Sequence, residues 1–222
     1  MAIRIAVGNL SIADCEEKIQ DFVDHDAYRR YDRDGVRAER RPNVISSEQL
    51  ALVNSAMRAR SSRKAWEPFL GKPLRELGEV PADVDLIDDA EARVEDALLR
   101  LGTAIQTVRV PGITDMAATK VFFLKRPKLV AISDDYVRRR LGISGPPGPD
   151  RGIAVAKAIR ELGYRNRGAL QYLHECSTAM RDPDGECVVL SKARILDILL
   201  WIEEALPAGR HRFWSGRYPV AQ

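Results

Sequence analysis

The feature that most constrains the fold is a long helical pattern near the C-terminus, from Ser191 to Leu206. Apolar residues occupy nearly every side of it: Ile195, Leu196, Ile198, Leu199, Leu200, Trp201 and Ile202. A helix that is apolar all round is normally buried among other elements. The apolar run contains Asp197 and is much too short to cross a bilayer. We therefore predict a helix at the centre of a globular core, with no membrane partner.

Helical spacing of apolar residues recurs along most of the chain, whereas strand patterns are few. The predicted helices cover 12–30, a segment behind the capping box Ser46–Gln49, 88–107, a segment from Thr114 to about Leu124, 134–141, 151–162 and 166–180. Only 4–7 and 186–190 have the short β-branched pattern of strands. The sequence therefore predicts a mainly α fold with minor short β segments.

The predicted organisation has three parts. Residues 1–43 hold an N-terminal helix and a charge-dense loop, 44–206 form a helical core, and 207–222 form a C-terminal tail. The helix behind Ser46 directs Arg58, Arg60 and Arg63 outward. A sharp breaker at 145–149 is either a subdomain boundary or a rigid loop within one domain.

Composition limits the function without naming it. The 222 residues are 45% apolar and 30% charged with a formal net charge of +3, which excludes a disordered chain and a strongly basic nucleic-acid coat. The three cysteines are scattered and the three histidines lack metal-ligand spacing, so we expect no disulfide framework, metal or cofactor. The N-terminal residues 1–7 do not contain the long apolar core that a secretory signal peptide needs. We therefore expect a cytoplasmic protein. The oligomeric state stays open.

The most informative segment joins two predicted helices through Val110-Pro-Gly-Ile-Thr114. The small side chains of Ala117 and Ala118 allow the two helices to approach closely. The first amides of a helix at such a turn point outward, where they can bind a phosphate oxygen. The chain then crosses through an apolar stretch to Asp134, at the start of the next predicted helix.

This arrangement resembles the helix-hairpin-helix DNA glycosylase superfamily. The segment 110–114 matches its hairpin, 134–137 its catalytic aspartate segment, and 140–142 its Arg-Leu-Gly ending. The resemblance implies a helix-hairpin-helix glycosylase-like core, with the paired helices at 91–124, and double-stranded DNA as the partner. It also implies that Asp134 is the catalytic carboxylate of an enzyme that hydrolyses the N-glycosidic bond of a flipped base.

The sequence departs from that family at three points. Met116, which lies 18 residues before Asp134, stands where some members have a lysine, so strand cleavage through a Schiff base is not implied. Thr114 replaces the second glycine of the hairpin. The cysteine-rich loop of some members has no counterpart, so we expect no iron–sulfur cluster. The chain as a whole also resembles an uncharacterised bacterial family of unknown function, through 45–51, 125–129 and 190–201, which implies no activity.

Seven residues are the predicted nucleic-acid contacts: Gly112, Thr114, Lys120, Lys125, Arg126, Lys128 and Arg138. A groove lined by the cations of 125–128 and 138–140 would dominate affinity and make it depend on salt. The alternative interpretation is a solvated charged face, with Asp134 as a plain helix cap. Two functions stay open: a DNA glycosylase without lyase activity, or a non-catalytic helix-hairpin-helix scaffold that binds nucleic acid or a protein partner.

Overall fold

The computed structural model describes residues 2–4, 9–25, 28–37, 41–59 and 61–205. The elements in these ranges are β1 (Ala2–Arg4), β2 (Asn9–Ser11), α1 (Ile12–Val23), a π-helix (Tyr28–Gly35), α2 (Ser47–Ala56), α3 (Arg63–Trp66), a 3-10 turn (Glu67–Phe69), α4 (Arg75–Gly78), α5 (Glu91–Thr107), α6 (Asp115–Phe123), α7 (Asp135–Arg140), α8 (Pro149–Arg165), α9 (Arg167–Ala179) and α10 (Lys192–Ala205). The prediction of a mainly α fold with minor short β segments is confirmed. Each helix in the described ranges is too short or too polar to span a membrane.

The helix α10 occupies the centre of the core, as its apolar pattern predicts. Its buried apolar residues are Ala193, Ile195, Leu196, Ile198, Leu199, Leu200 and Ile202. It packs against α1, α7, α8 and α9, so neighbours cover it on several sides. That arrangement explains why the sequence of this helix has hardly any polar face.

The N-terminal region differs from its prediction. The first helix ends at Val23, and the segment expected to be a charged loop forms the π-helix instead. Tyr28 and Tyr31 are fully buried there, and Asp32 pairs with Arg194 of α10. Alternating charges are typical of a solvated surface, and this pattern does not reveal that one of the carboxylates faces the core.

The two predicted strands also have different outcomes. The strand β1 pairs antiparallel with β2, with Ala2 opposite Ser11. Residues 5–8 lie outside the described residues, and so do 206–222, which contain the predicted tail. The run 186–190 is not a strand, apart from an isolated bridge between Arg181 and Cys187. The Val189 amide instead donates to the hydroxyl of Tyr28 at 3.2 Å, a side-chain acceptor where a strand would need a carbonyl.

The helices α5 and α6 form the predicted pair joined by a hairpin. The buried stripe of α5 contains Val94, Ala97, Leu98, Leu101, Ala104 and Ile105, at helical spacing. The helix α8 packs against both α5 and α6. Its Gly152 makes this approach close, because a Cβ at that position would lie 3.3 Å from Cδ1 of Ile105. The hairpin therefore lies at one end of three closely packed helices.

Candidate nucleic-acid interface

The hairpin between α5 and α6 is a tight turn. The Ile113 amide donates to the Val110 carbonyl at 2.9 Å, and Gly112 has a φ of +95°. Pro followed by a residue with positive φ is the arrangement of a type II turn, in which glycine is strongly favoured. The Thr114 hydroxyl then accepts from the Ala117 amide at 3.2 Å and caps α6. The residue that replaces the family's second glycine thus starts the second helix.

The tip of this hairpin is exposed while its base is anchored. Pro111, Gly112 and Thr114 are exposed, whereas Ile113 is buried in the core. The turn also lies against α3, since a Cβ on Gly112 would be 3.1 Å from Cβ of Ala65. The main chain of the turn is therefore held in one position and faces solvent.

Three exposed cations belong to the segments next to this tip. Arg63 and Lys64 are exposed on α3, directly before the alanine that contacts Gly112. Arg109 is exposed at the end of α5. We call the exposed residues Pro111, Gly112, Thr114, Arg63, Lys64 and Arg109 the hairpin surface. Sequence reasoning directs Arg63 outward but does not single out Lys64 and Arg109, because nothing in the sequence indicates that α3 packs against the turn.

Asp134 lies at the N-terminus of α7, and each of its two carboxylate oxygens accepts a hydrogen bond. Oδ1 accepts from the Tyr136 amide at 3.0 Å, which caps the helix. Oδ2 accepts from Nζ of Lys120 at 2.9 Å, and the same ammonium donates to the Met57 carbonyl at 2.9 Å. The Asp134 side chain is 16% exposed and that of Lys120 only 4%. Asp134 is therefore both a helix cap and the counter-ion of a buried lysine.

The crossing segment before Asp134 is fixed by a buried polar network. The Ser133 hydroxyl donates to Oδ2 of Asp115 at 2.8 Å, and the Ser133 amide donates to Oγ1 of Thr119 at 3.1 Å. Asp115 also accepts from Nε of Arg151 at 2.9 Å. The network ties the crossing segment to α6 and α8, and so it holds Asp134 in place relative to the hairpin.

Lys125 and Arg126 point into the protein. Lys125 donates to the carbonyls of Arg41 and Val44 at 3.1 and 2.5 Å. The guanidinium of Arg126 makes five bonds, to the carbonyls of Val80, Pro42, Lys125 and Leu77 and to Oδ1 of Asn43, at 2.7 to 3.1 Å. An arginine side chain has five N–H donors, so every one is used. These two cations connect the segments 41–44 and 77–80 to the end of α6.

The fold therefore does not bring the cations of 125–128 and 138–140 together as one exposed groove. Lys120, Lys125 and Arg126 are 3%, 4% and 2% exposed, and a phosphate would reach them only after those bonds broke. Arg138 is partly buried and pairs with Asp135, its neighbour on α7. Lys128 is exposed, as predicted, together with Gly112 and Thr114. Contact of these three residues with nucleic acid stays a prediction.

A shallow recess lies beside the hairpin and not beside Asp134. It is lined by Ile105, Arg109, Ile113, Thr114, Asp115, Pro147 and Gly148. It has room for about one water molecule, far less than a flipped base would need. In the part of the chain that the structure describes, no three His, Cys, Asp or Glu side chains are grouped so that they could hold a metal ion.

The chain belongs to a family of unknown function, DUF6308, whose model matches residues 17–204. That range contains the hairpin, the crossing segment, Asp134 and nearly all of α10. No curated protein and no solved structure matches the chain. The likeness of 110–142 to helix-hairpin-helix glycosylases thus rests on the residues of that segment, while family membership covers nearly the whole fold.

Proposed function

We propose that this protein is a non-catalytic scaffold that binds the backbone of double-stranded DNA through the hairpin surface. The observation that carries the proposal is the exposed Pro111–Gly112 turn, with cations on the two elements beside it. The hairpin amides offer donors for phosphate oxygens. Arg63 and Lys64, next to the alanine that contacts the turn, and Arg109, two residues before Pro111, add exposed positive charge near the turn.

Binding to the DNA backbone has little sequence preference, and its affinity depends on the salt concentration. Each phosphate that a cation neutralises releases a counter-ion, so log affinity falls with log salt by about 0.9 per contact. Contacts from three cations correspond to a slope of about −2.7. The slope is thus a direct count of the cations that take part.

Fluorescence anisotropy of a labelled DNA duplex, titrated at several salt concentrations, tests this proposal. We expect the double variant R63A/K64A to bind more weakly and to lose about two units of the salt slope. The matched control is R165A/R167A, which removes the same charge at the other end of α8. The 17 residues of α8 run from the hairpin side at Gly148 to that end, a length of about 25 Å.

If both double variants bind as the unaltered protein does, the hairpin surface is not the binding site. If both lose the same affinity, the interaction is a response to net charge alone and the proposal fails. A loss that is confined to R63A/K64A supports it.

A second candidate is a DNA glycosylase without lyase activity. The order of hairpin, crossing segment and partly exposed carboxylate at Asp134 favours it. In this mechanism the carboxylate stabilises the developing sugar cation and orients a water molecule. It requires the local structure to open, because both carboxylate oxygens of Asp134 already accept hydrogen bonds.

A panel of duplexes that carry uracil, alkylated bases or oxidised bases separates the two candidates. Base release by the unaltered protein and by D135N, but not by D134N, would establish the enzyme. DNA binding without base release from any duplex would leave the scaffold function. If neither release nor salt-sensitive binding occurs, both candidates are refuted.

A further inference from the structure

The interior of the fold contains a group of ionisable side chains that DNA binding through the hairpin surface does not use. We call it the buried charge centre, and it consists of Asp32, Lys120, Asp134, Arg194 and Asp197. Four of these five residues are at most 5% exposed, and the Asp134 side chain is 16% exposed. Burying a charge lowers the stability of the fold unless a partner of opposite charge or hydrogen bonds compensate for the lost hydration.

The pairing within this centre leaves one carboxylate poorly compensated. Arg194 donates to both oxygens of Asp32, from Nε at 2.6 Å and from Nη2 at 3.0 Å. The same guanidinium donates from Nη1 to Oδ2 of Asp197, one turn further along α10. Oδ1 of Asp197 is buried and has no hydrogen-bond partner. Lys120 is already paired with Asp134.

The charge balance of the centre therefore has an excess of one negative charge. Two cations, Lys120 and Arg194, face three carboxylates, those of Asp32, Asp134 and Asp197. Of the two carboxylates that share Arg194, Asp32 has a bidentate bond whereas Asp197 has a single bond and an unpartnered oxygen. Asp197 is thus the group for which a neutral form is most favourable.

Apart from Asp134 at the start of α7, the charged side chains described for the helices packed against α10 have partners away from Asp197. Lys18 of α1 pairs with Glu203 at 3.1 Å, beyond Asp197 along α10. Two arginines of α7 pair with the same region, Arg140 with Glu203 and Arg139 with Glu204. The buried Arg160 of α8 donates to main-chain carbonyls. The buried residues of α9 are uncharged: Ala169, Leu170, Leu173 and Ser177.

We infer that the folded protein holds a proton on Asp197, and that this proton makes folding sensitive to pH in the range up to neutrality. Burial, aided by the negative charges of Asp134 and Asp32, raises the pKa of Asp197 to about 7 against the lowering effect of Arg194. In the unfolded chain the pKa of an aspartate is about 3.9. Between these two values the folded state binds one more proton than the unfolded state.

The direction of the pH effect follows from this difference. Stability falls with rising pH wherever the folded state binds more protons than the unfolded state. The loss begins above the unfolded pKa, and it ends above about pH 7, where Asp197 is ionised in both states. One proton corresponds to roughly a tenfold fall in the folding constant per pH unit within that window.

Urea unfolding of the unaltered protein and of D197N, measured at several pH values, tests the inference. The asparagine keeps the size of the side chain and cannot ionise. We expect the folding constant of the unaltered protein, divided by that of D197N, to fall roughly fiftyfold between about pH 5 and pH 7. The control D96N, on the surface of α5 where Asp96 pairs with Arg100, should leave the profile unchanged. A constant ratio for D197N would overturn the inference.

Infrared spectroscopy of the unaltered protein gives a second readout that does not depend on a variant folding. A protonated carboxyl group has a C=O stretch distinct from the bands of a carboxylate. We expect such a band to persist at about pH 6, where exposed carboxyl groups are ionised. D197N identifies its source if that variant folds. If the folded protein shows no such band at that pH, then Asp197 is not protonated and the inference is refuted without any variant.

Discussion

Arg126 provides the most direct test of how the crossing segment is built. Its five N–H donors bond to five oxygens that come from the segments 41–44 and 77–80 and from Lys125. Replacement by alanine leaves these oxygens without their donors, and each buried acceptor costs about 1–3 kcal/mol when it is unsatisfied. Water that enters the gap recovers part of that cost. We expect R126A to lose about 4 kcal/mol of unfolding free energy.

Urea unfolding followed by circular dichroism measures this loss. The matched control is K128A, two residues away and exposed, which should stay within about 0.5 kcal/mol of the unaltered protein. R126K keeps the charge but offers three donors, so it should lose an intermediate amount. If R126A loses no more than K128A, the arginine does not hold the two segments together and its bonds contribute nothing net.

Three further changes have defined outcomes. G112A should lower the unfolding free energy by about 1–3 kcal/mol in urea titrations, since an alanine is strained at φ +95° and its Cβ would press on α3; equal stability would refute the positive φ. D134A should cost about 3–5 kcal/mol by the same assay, because it leaves the buried ammonium of Lys120 without a counter-ion, and a cost below 1 kcal/mol would contradict that pairing. Burial raises the pKa of Cys15 to about 12. A thiol reagent at pH 8 should therefore modify the exposed Cys187 and leave Cys15 unmodified until the protein unfolds. If both cysteines react at the same rate, Cys15 is accessible in the folded protein.

Local patterns predict much of the helical framework. The capping box at Ser46 is present in full, because the Gln49 amide and the Ser46 hydroxyl are three residues apart and need no other part of the chain. The stripe of α5 and the apolar surface of α10 follow equally from spacing along one helix. The Pro111–Gly112 turn is likewise local, since its geometry depends on two adjacent residues.

Partners that are distant in sequence explain what the patterns miss. A basic run after a helix looks exposed, yet the carbonyls that bind Arg126 lie 46 and 49 residues away, at Val80 and Leu77. Asp32 looks like one charge of a solvated stretch, yet its partner Arg194 lies 162 residues further along the chain. Spacing within a segment contains no information about such acceptors, and so burial of a charge is the least predictable property of this fold.

The same contacts change the functional interpretation of Asp134. The carboxylate caps α7 and neutralises a buried lysine, and the crossing segment that holds it is fixed through Ser133, Asp115 and Arg151. Each of these roles stabilises the fold and would favour an aspartate here in a protein with no catalytic activity. The match in spacing to a catalytic aspartate therefore adds little support for catalysis. Arg63, Lys64 and Arg109, by contrast, are exposed cations near an exposed turn, where they are accessible to a charged partner. The case for a function of this fold consequently rests on the hairpin surface.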